Sequence, residues 1–537
     1  MTYADPLRRA ARHWPLALAL AIFLAFALPD LGLPGLHYDE ALEAATPALL
    51  LLRGQPLTII NNGAIEIGGQ RLPLMVQNHI GAIQIYAAMP FVALLGPTAE
   101  ALRLMTVLVG AITLAAVYAF AAQVWGRWAA GTAALALAVF PSFIFWSRQG
   151  VFITNISPCM AALAFALGAR WWRTRGAGPL FLAGLAAGLA IYAKVSALWL
   201  LNGAALWAAL CWLAVRGRGF AISPRRVALA CAGLGLGVLP VVAYNLITGF
   251  ATFAVVEKSA STTYLGTSNQ NLLTNLQTRL AQAADVIGSG QHLWYLGGQF
   301  PNPYALPALA VALGLVAARL WRERGLGWQR ELLVPLLGLG CVAQSCFTIS
   351  ALWYTHFAIA VWLPALVLGA GAEALARVGA GRWRWAGPTA ALLAVLAAAP
   401  QAASSWAYLG AVRSTGGLSF HSSAIADVSR FLAARPEPVV ALDWGFSAPI
   451  EYLTGGQKRV EELYGFSPEL PPDFTQQLAS KLDTDTLYLT HSPGEEAFTR
   501  RQAFLDAVAA AGLRAEQVNR SVRKDGLALI EVWKLSR

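Results

Sequence analysis

Long apolar segments recur along the chain from Pro15 to Ala403 and then stop. A helix needs roughly 20 apolar residues to cross a hydrocarbon core of about 30 Å, and the segments have that length. We therefore predict about eleven transmembrane helices. Their bounds are 15–33, 101–122, 128–146, 157–171, 178–194, 196–215, 227–248, 303–320, 332–350, 353–375 and 386–404.

The pattern after residue 404 predicts a second kind of structure. Val439–Asp443, Thr486–Thr490 and Ala528–Trp533 have the composition of strands, and Glu496–Ala511 has the periodicity of an amphipathic helix. The predicted fold is thus a polytopic α-helical membrane protein, residues 1–404, followed by a small C-terminal soluble α/β domain, residues 405–537.

Composition agrees with the membrane class and explains the positive charge. Only 12% of the residues are charged, against about 25% in soluble globular proteins. The net charge is +11, but residues 405–537 carry 14 basic and 16 acidic residues, so the basic excess belongs to the membrane part. Short loops rich in arginine are typical of cytoplasmic loops, and we expect no nucleic-acid partner.

The distribution of this charge predicts the orientation. With a cytoplasmic N-terminus, the cytoplasmic side carries 18 Lys and Arg residues and the other side, up to residue 404, carries 7. Counting the apolar stretch 79–95 as a further span would invert this bias, so we interpret it as a helix along the membrane surface or a re-entrant one. The loops 34–100, 147–156 and 249–302 and the C-terminal domain are then periplasmic or extracellular, on a multi-pass protein of the inner (plasma) membrane.

Charged side chains on the predicted outer side suggest chemistry at the headgroup level. Asp39 and Glu40 follow the first span almost directly, and Lys194 interrupts an apolar stretch, where a charge is costly unless it reaches water or an anion. A carboxylate can take a proton from an acceptor hydroxyl, while cations neutralise a lipid-linked phosphate. The alternatives are solvated interfacial carboxylates and a lysine that snorkels to the interface.

Several short motifs in a fixed order carry a resemblance to a known family. They are His37-Tyr38-Asp39-Glu40-Ala41, Leu51-Leu52-Arg53-Gly54, Leu102-Arg103-Leu104, Phe140-Pro141 with Ser147-Arg148, Gly188-Leu189-Ala190 before Lys194, and Thr355-His356 before Pro364. Residues 10–200 resemble the membrane half of the protein O-mannosyltransferase and aminoarabinose (lipid A) transferase group of the glycosyltransferase C superfamily, which is family 39-like. The later spans resemble it more loosely.

The resemblance implies a function and a set of site residues. It implies transfer of a sugar from a polyprenyl-phosphate donor to an acceptor hydroxyl on the non-cytoplasmic face, by an inverting enzyme whose acceptor is a lipid, a glycan or a protein. By position, Asp39 becomes the catalytic base, Glu40 the neighbour that orients its surroundings, and Lys194 a ligand of the donor phosphate. The other predicted substrate-binding residues are Arg148, His79, His356, Asn155 and Glu66.

Two departures from the family pattern keep alternatives open. Asn78-His79-Ile80 stands where relatives often have Lys-Pro-Pro, and Asn155 stands where many have a second acidic residue. Hard divalent cations usually need carboxylate oxygens, so we assign no cofactor and leave a divalent metal open. An inactive relative that binds a lipid carrier is one alternative. A lipid or sugar transporter is the other, although we find no inverted repeat.

Overall fold

The structure is a computed structural model that describes residues 13–57, 63–149, 155–214, 223–324, 327–379 and 385–537. Most of these residues are helical. The helices before the C-terminal domain are α1 Trp14–Ala27, α2 Thr46–Leu52, α3 Ile83–Leu95, α4 Ala99–Val124, α5 Arg127–Ala138, α6 Pro141–Arg148, α7 Ile156–Thr174, α8 Ala177–Ala193, α9 Leu198–Ala214, α10 Pro224–Ile247, α11 Ala251–Lys258, α12 Leu272–Ala284, α13 Ala305–Arg322, α14 Trp328–Ser345, α15 Leu363–Gly379 and α16 Ala386–Thr415.

Each of the eleven predicted spans coincides with one helix or with two consecutive helical segments. By length and composition, five helices in the described residues could cross a membrane: α4, α9 with the turn before it, α10, α13 and α16. Two bent pairs raise the number to seven, α5 with α6 at 62° and the turn Tyr354–Ala360 with α15 at 43°. Helices at the predicted positions are therefore confirmed, whereas the crossing of the membrane by each of them, and the number of crossings, stay predictions.

Within the segment 79–95, residues Ile83–Leu95 form α3, a helix of 13 residues that is shorter than a span. The next helix, α4, begins where the Thr98 hydroxyl accepts a hydrogen bond from the backbone N–H of Ala101. Such a cap supplies a partner for one of the free donors in the first turn. The first loop thus ends in an apolar helix that leads directly into the long helix α4.

Helices α8 and α10 pack with their backbones in contact. A Cβ atom on Gly188 would lie 2.4 Å from the carbonyl oxygen of Leu234, and one on Gly237 would lie 2.6 Å from that of Leu185. Small residues permit this close approach between helices in membranes. The contact fixes the end of α8, which carries Lys194.

The first loop, which joins α1 to α4, is built from short elements. A turn of α-helix, Tyr38–Glu40, runs through a π-helical turn, Ala41–Ala45, into α2. Two antiparallel hairpins follow, with the strands β1 Ala64–Ile67, β2 Gln70–Pro73, β3 Met75–Gln77 and β4 Ile80–Gly81.

The C-terminal domain is a five-stranded sheet flanked by short helices. Its elements are α17 Ala424–Ala433, β5 Val439–Ala441, α18 Ser447–Leu453, β6 Val460–Glu462, α19 Phe474–Ala479, β7 Leu487–His491, α20 Arg501–Ala510, β8 Arg514–Val522 and β9 Ala528–Ser536. The strand order is β6-β5-β7-β9-β8, in which β6, β5 and β7 are parallel and the other pairs are antiparallel.

The three strands predicted in this domain are observed as β5, β7 and β9, and the predicted helix is observed as α20, beginning at Arg501. The sequence pattern missed β6 and β8. Helix α16 continues to Thr415, so the long helix that ends the membrane part reaches beyond the predicted boundary at residue 405.

Candidate active site

The first turn after α1 is organised by His37. Its Nδ1 atom accepts a hydrogen bond of 3.2 Å from the backbone N–H of Asp39, and its own backbone N–H donates to Glu40 Oε2 at 3.3 Å. This reciprocal arrangement is a capping box, with histidine in the place usually taken by serine or threonine. It fixes the start of the turn and sends the two neighbouring carboxylates in different directions.

Glu40 is held in a buried ion pair. The Nε and Nη2 atoms of Arg103 donate to Oε1 and Oε2 of Glu40, each at 2.8 Å, and both side chains are 0% exposed. The same guanidinium donates to the carbonyl oxygens of Leu31, Pro34 and Gly35. Both carboxylate oxygens of Glu40 are therefore engaged, and the pair ties the turn to α4.

Asp39 has different surroundings. Its side chain is 28% exposed and lies 3.9 Å from Nδ1 of His37. Loss of water contact raises the pKa of Asp39, and the nearby His37 ring and Lys194 ammonium group oppose that shift. A carboxylate that is partly accessible and faces a lysine has the properties required of a general base.

Glu43, four residues later, is a second acidic group on this side. It is 3% exposed, and its Oε1 accepts a hydrogen bond of 2.5 Å from the Gln77 amide. Within the described ranges, its Oε2 has no hydrogen-bond partner. Burial raises the pKa of Glu43 to about 8, and the charge of Asp39 adds to this shift while Lys194 opposes it. The sequence analysis did not select Glu43, although its spacing from Asp39 was visible.

Lys194 is fixed by backbone contacts where α8 ends. Its main chain bridges to Ile80, and the N–H of Val195 donates to the carbonyl oxygen of His79 at 3.2 Å. The turn before β4 is held in addition by Asn78, which accepts hydrogen bonds from Tyr244 and Thr252. These contacts place His79 beside Lys194.

The Lys194 side chain is buried and lies in the electrostatic field of Asp39 and Glu43. It forms no salt bridge within 4.0 Å to any carboxylate of the residues that the structure describes. Its ammonium group is therefore only partly compensated by the protein, which is the condition for binding an anionic ligand.

A cavity of about 340 Å³ brings three of the predicted site residues together. His79, Lys194 and His356 all line it, although they come from three separate parts of the chain. Its remaining lining is partly polar and partly apolar, and includes Trp199, Asn202, Val255, Val256, Asn269, Gln344 and Phe347.

Arg279 on α12 fixes the proton of His356. Its Nη2 atom lies 2.7 Å from His356 Nδ1, and a guanidinium can only donate. Nδ1 is therefore the unprotonated acceptor, and a neutral His356 carries its proton on Nε2. Arg279 also donates to the carbonyl oxygens of Ser345 and Trp353. In the sequence, Arg279 was only one of the basic residues counted on the outer side, because its partner His356 lies 77 residues later in the chain.

The other five predicted residues do not line this cavity, and they include the catalytic pair Asp39 and Glu40 described above. Arg148 is buried elsewhere and donates to the carbonyl oxygens of Pro29 and Asp30. Asn155 donates to the carbonyl oxygen of Gln149. Glu66 is exposed on the β1–β2 hairpin. Among the described residues, no group of three or more His, Cys, Asp or Glu side chains could hold a metal ion.

Comparison with known proteins adds a family and several folds. Residues 84–244 match the family model described as dolichyl-phosphate-mannose-protein mannosyltransferase, a region that contains Lys194 but not Asp39. No curated protein sequence matches the chain. The fold is similar to ArnT from Cupriavidus metallidurans bound to undecaprenyl phosphate, with a TM-score of 0.59, 14% identity and 97% of both chains covered.

Two further structures have similar folds. The apo state of the same ArnT gives a TM-score of 0.54 at 14% identity, covering 97% of this chain and 98% of that one. The Archaeoglobus fulgidus oligosaccharyltransferase tethered with an acceptor peptide gives 0.51 at 13% identity, covering 89% and 69%. The resemblance to the glycosyltransferase C superfamily is thus confirmed, and the chain has the fold of its membrane enzymes.

Proposed function

We propose that this chain, which has the glycosyltransferase C fold, moves a sugar from a polyprenyl-phosphate donor to an acceptor hydroxyl on the non-cytoplasmic face of the membrane. The observation that carries the proposal is the position of Lys194. It lines a cavity with His79 and His356, and it interacts electrostatically with the acidic side chains of Asp39 and Glu43. One neighbour with the same fold is described as bound to undecaprenyl phosphate, which supports a donor of this class.

In the proposed site, the donor phosphate lies in the cavity. The Lys194 ammonium group compensates the negative charge that grows on the phosphate as the bond to the sugar breaks, and His356 donates from Nε2. Val256 and Phe347 line the cavity and are more than half exposed. They offer an apolar surface to the polyprenyl chain.

The proposed chemistry uses Asp39 as general base. The acceptor hydroxyl gives its proton to Asp39 while its oxygen bonds to the anomeric carbon. The bond from that carbon to the phosphate oxygen breaks on the opposite face, and the electron pair leaves with the polyprenyl phosphate. Attack opposite the leaving group inverts the anomeric centre.

An inactive protein that binds a lipid carrier is the second candidate. The observation that favours it is Asn155, an amide in the place where many relatives have an acidic residue. Glu43 weakens this argument, because it brings another carboxylate close to Asp39 and Lys194.

The test compares two lysines in a purified protein reconstituted in nanodiscs. Lys194→Met should lower kcat/KM for a polyprenyl-phosphate sugar by about 10²-fold and weaken donor binding, because a charge that stabilises the leaving group is lost. Lys258, on α11, is exposed and serves as the matched control. Lys258→Met should behave as wild type, and Lys194→Arg should restore part of the activity.

Unchanged turnover in Lys194→Met would remove Lys194 from the donor site. Donor binding by the wild type without transfer of any sugar from a panel of donors would instead favour the inactive lipid-carrier protein.

A further inference from the structure

The C-terminal domain meets the first loop at the residues that precede Asp39. Tyr38 donates a hydrogen bond of 3.0 Å from its hydroxyl to Oε1 of Glu462, and its ring lies 5.0 Å from that of Trp444. Glu462 is the last residue of β6, and Trp444 follows shortly after β5. The carboxyl ends of parallel strands form the edge where many α/β domains bind ligands. Here that edge contacts the first loop of the membrane part.

His37, one residue earlier, is held by a second part of the same domain. His421 stacks on His37 with ring centroids 4.3 Å apart, and on Tyr295 with centroids 4.1 Å apart. His421 is buried in this three-ring stack, and its carbonyl oxygen accepts a hydrogen bond of 2.6 Å from Gly35. Because Nδ1 of His37 accepts a hydrogen bond from the backbone N–H of Asp39, the stack is connected directly to the backbone of the candidate base.

The later part of the turn is tied to the same domain. Thr46 donates from its hydroxyl to the carbonyl oxygen of Ala448 at 2.8 Å. Tyr452 donates to the carbonyl oxygen of Thr98, where the loop enters α4. The turn at residues 38–40 is the first part of a helical stretch that continues to Leu52, and its start is fixed by the His37 capping box and by the Glu40–Arg103 pair. The contacts with the C-terminal domain hold the same residues from the other side.

We infer that the C-terminal domain is a positioning element for Asp39, acting through Glu462 on Tyr38 and through His421 on His37. This inference rests on the proposed function. The residues assigned to the donor phosphate, Lys194 and His356, are fixed by α8, α12 and the β3–β4 turn. Loosening the contact with the C-terminal domain should therefore impair the base and spare the donor site.

The experiment uses two adjacent glutamates of β6. Glu462→Ala removes the acceptor of the Tyr38 hydrogen bond, whereas Glu461→Ala, the matched control, removes only an exposed ion pair with Lys481. Each variant is measured for kcat, donor KM, thermal unfolding and hydrogen–deuterium exchange of residues 35–46. Glu462→Gln keeps an acceptor oxygen and tests rescue.

We expect Glu462→Ala to lower kcat by about tenfold, since a misplacement of about 1 Å can cost about 10²-fold. Donor KM should stay within about twofold of wild type, and residues 35–46 should exchange faster. Glu462→Gln and Glu461→Ala should resemble wild type. His421→Ala should repeat the pattern of Glu462→Ala.

Equal exchange and equal kcat in Glu461→Ala and Glu462→Ala would overturn the inference. A fall in donor binding and unfolding temperature that matches the fall in kcat would also overturn it, because it would indicate a general loss of structure. If the wild type transfers no sugar, the proposed function alone is wrong. The hydrogen–deuterium exchange of residues 35–46 in the two glutamate variants would still decide whether the C-terminal domain holds the turn at residues 38–40.

Discussion

Asp39 and Glu40 are adjacent carboxylates on one short turn, yet the two sides of that turn differ in almost every physical respect. Glu40 points into the protein, where a fully buried arginine binds both of its oxygens. Asp39 is partly exposed and lies in the field of Lys194. A carboxylate whose charge and lone pairs are engaged can hold a structure but has little capacity to take up a proton. The difference lies in the partners and not in the residue type.

The largest effect should come from breaking the buried side. Glu40→Ala leaves Arg103 charged and buried without its carboxylate, which typically costs about 3–5 kcal/mol. The unfolding temperature in detergent should fall more than for any other variant discussed here. Arg103→Ala should be similarly harmful, and the double variant should lose less than the sum of the two. An unfolding temperature equal to that of wild type in Glu40→Ala would contradict the structural role.

A substitution on the accessible side of the turn, at Asp39, should lower the activity and leave the stability unchanged. Asp39→Asn keeps the size of the side chain but removes the proton acceptor, a role worth about 10²–10⁴-fold in rate. Transfer of labelled sugar should fall by that factor while donor binding and the unfolding temperature stay at wild-type values. Wild-type transfer would exclude Asp39 as the base, and loss of donor binding would point to a structural role.

Because the pKa of Glu43 is raised, the stability that this side of the turn contributes depends on pH. The folded protein holds this proton up to about pH 8, whereas the unfolded chain releases it near 4.5. The folded state binds the proton more tightly, so the contribution of Glu43 to the free energy of unfolding is greatest below pH 4.5. It falls by at most about 1.4 kcal/mol per pH unit up to pH 8 and is level above that.

Glu43→Gln has no proton to release, so it removes the loss of stability that Glu43 causes between pH 4.5 and pH 8. The unfolding temperature of the variant relative to wild type should therefore rise from pH 5 to pH 8 and then stay constant. Parallel curves for the two proteins across that range would show that Glu43 is not held neutral by its surroundings.

The smallest effect is expected for Glu66, which lies in the same loop but is exposed on a hairpin. Glu66→Gln should change the stability by less than about 0.5 kcal/mol, as is usual for surface substitutions. Its transfer rate should be that of wild type. A rise of tenfold or more in the acceptor KM would restore the predicted substrate-binding role.

The sequence by itself determined the features that depend on local pattern. Every predicted span coincides with one helix or with two consecutive helical segments, because apolarity over about 20 residues is a property of one segment. The strands β5, β7 and β9 were found for the same reason, while β6, with only three residues and two adjacent glutamates, carried too weak a pattern. The sequence also identified Lys194, because a charge within an apolar stretch is conspicuous in one dimension.

Only the tertiary structure decided which charges act together. The resemblance assigned different roles to Asp39 and Glu40, but the physical difference between them comes from Arg103 of α4 and from Lys194 at the end of α8. Arg148 resembled a site cation, but its guanidinium binds the carbonyl oxygens that follow α1. Burial and electrostatic partners come from distant segments, and the chemistry of a carboxylate or an arginine depends on them.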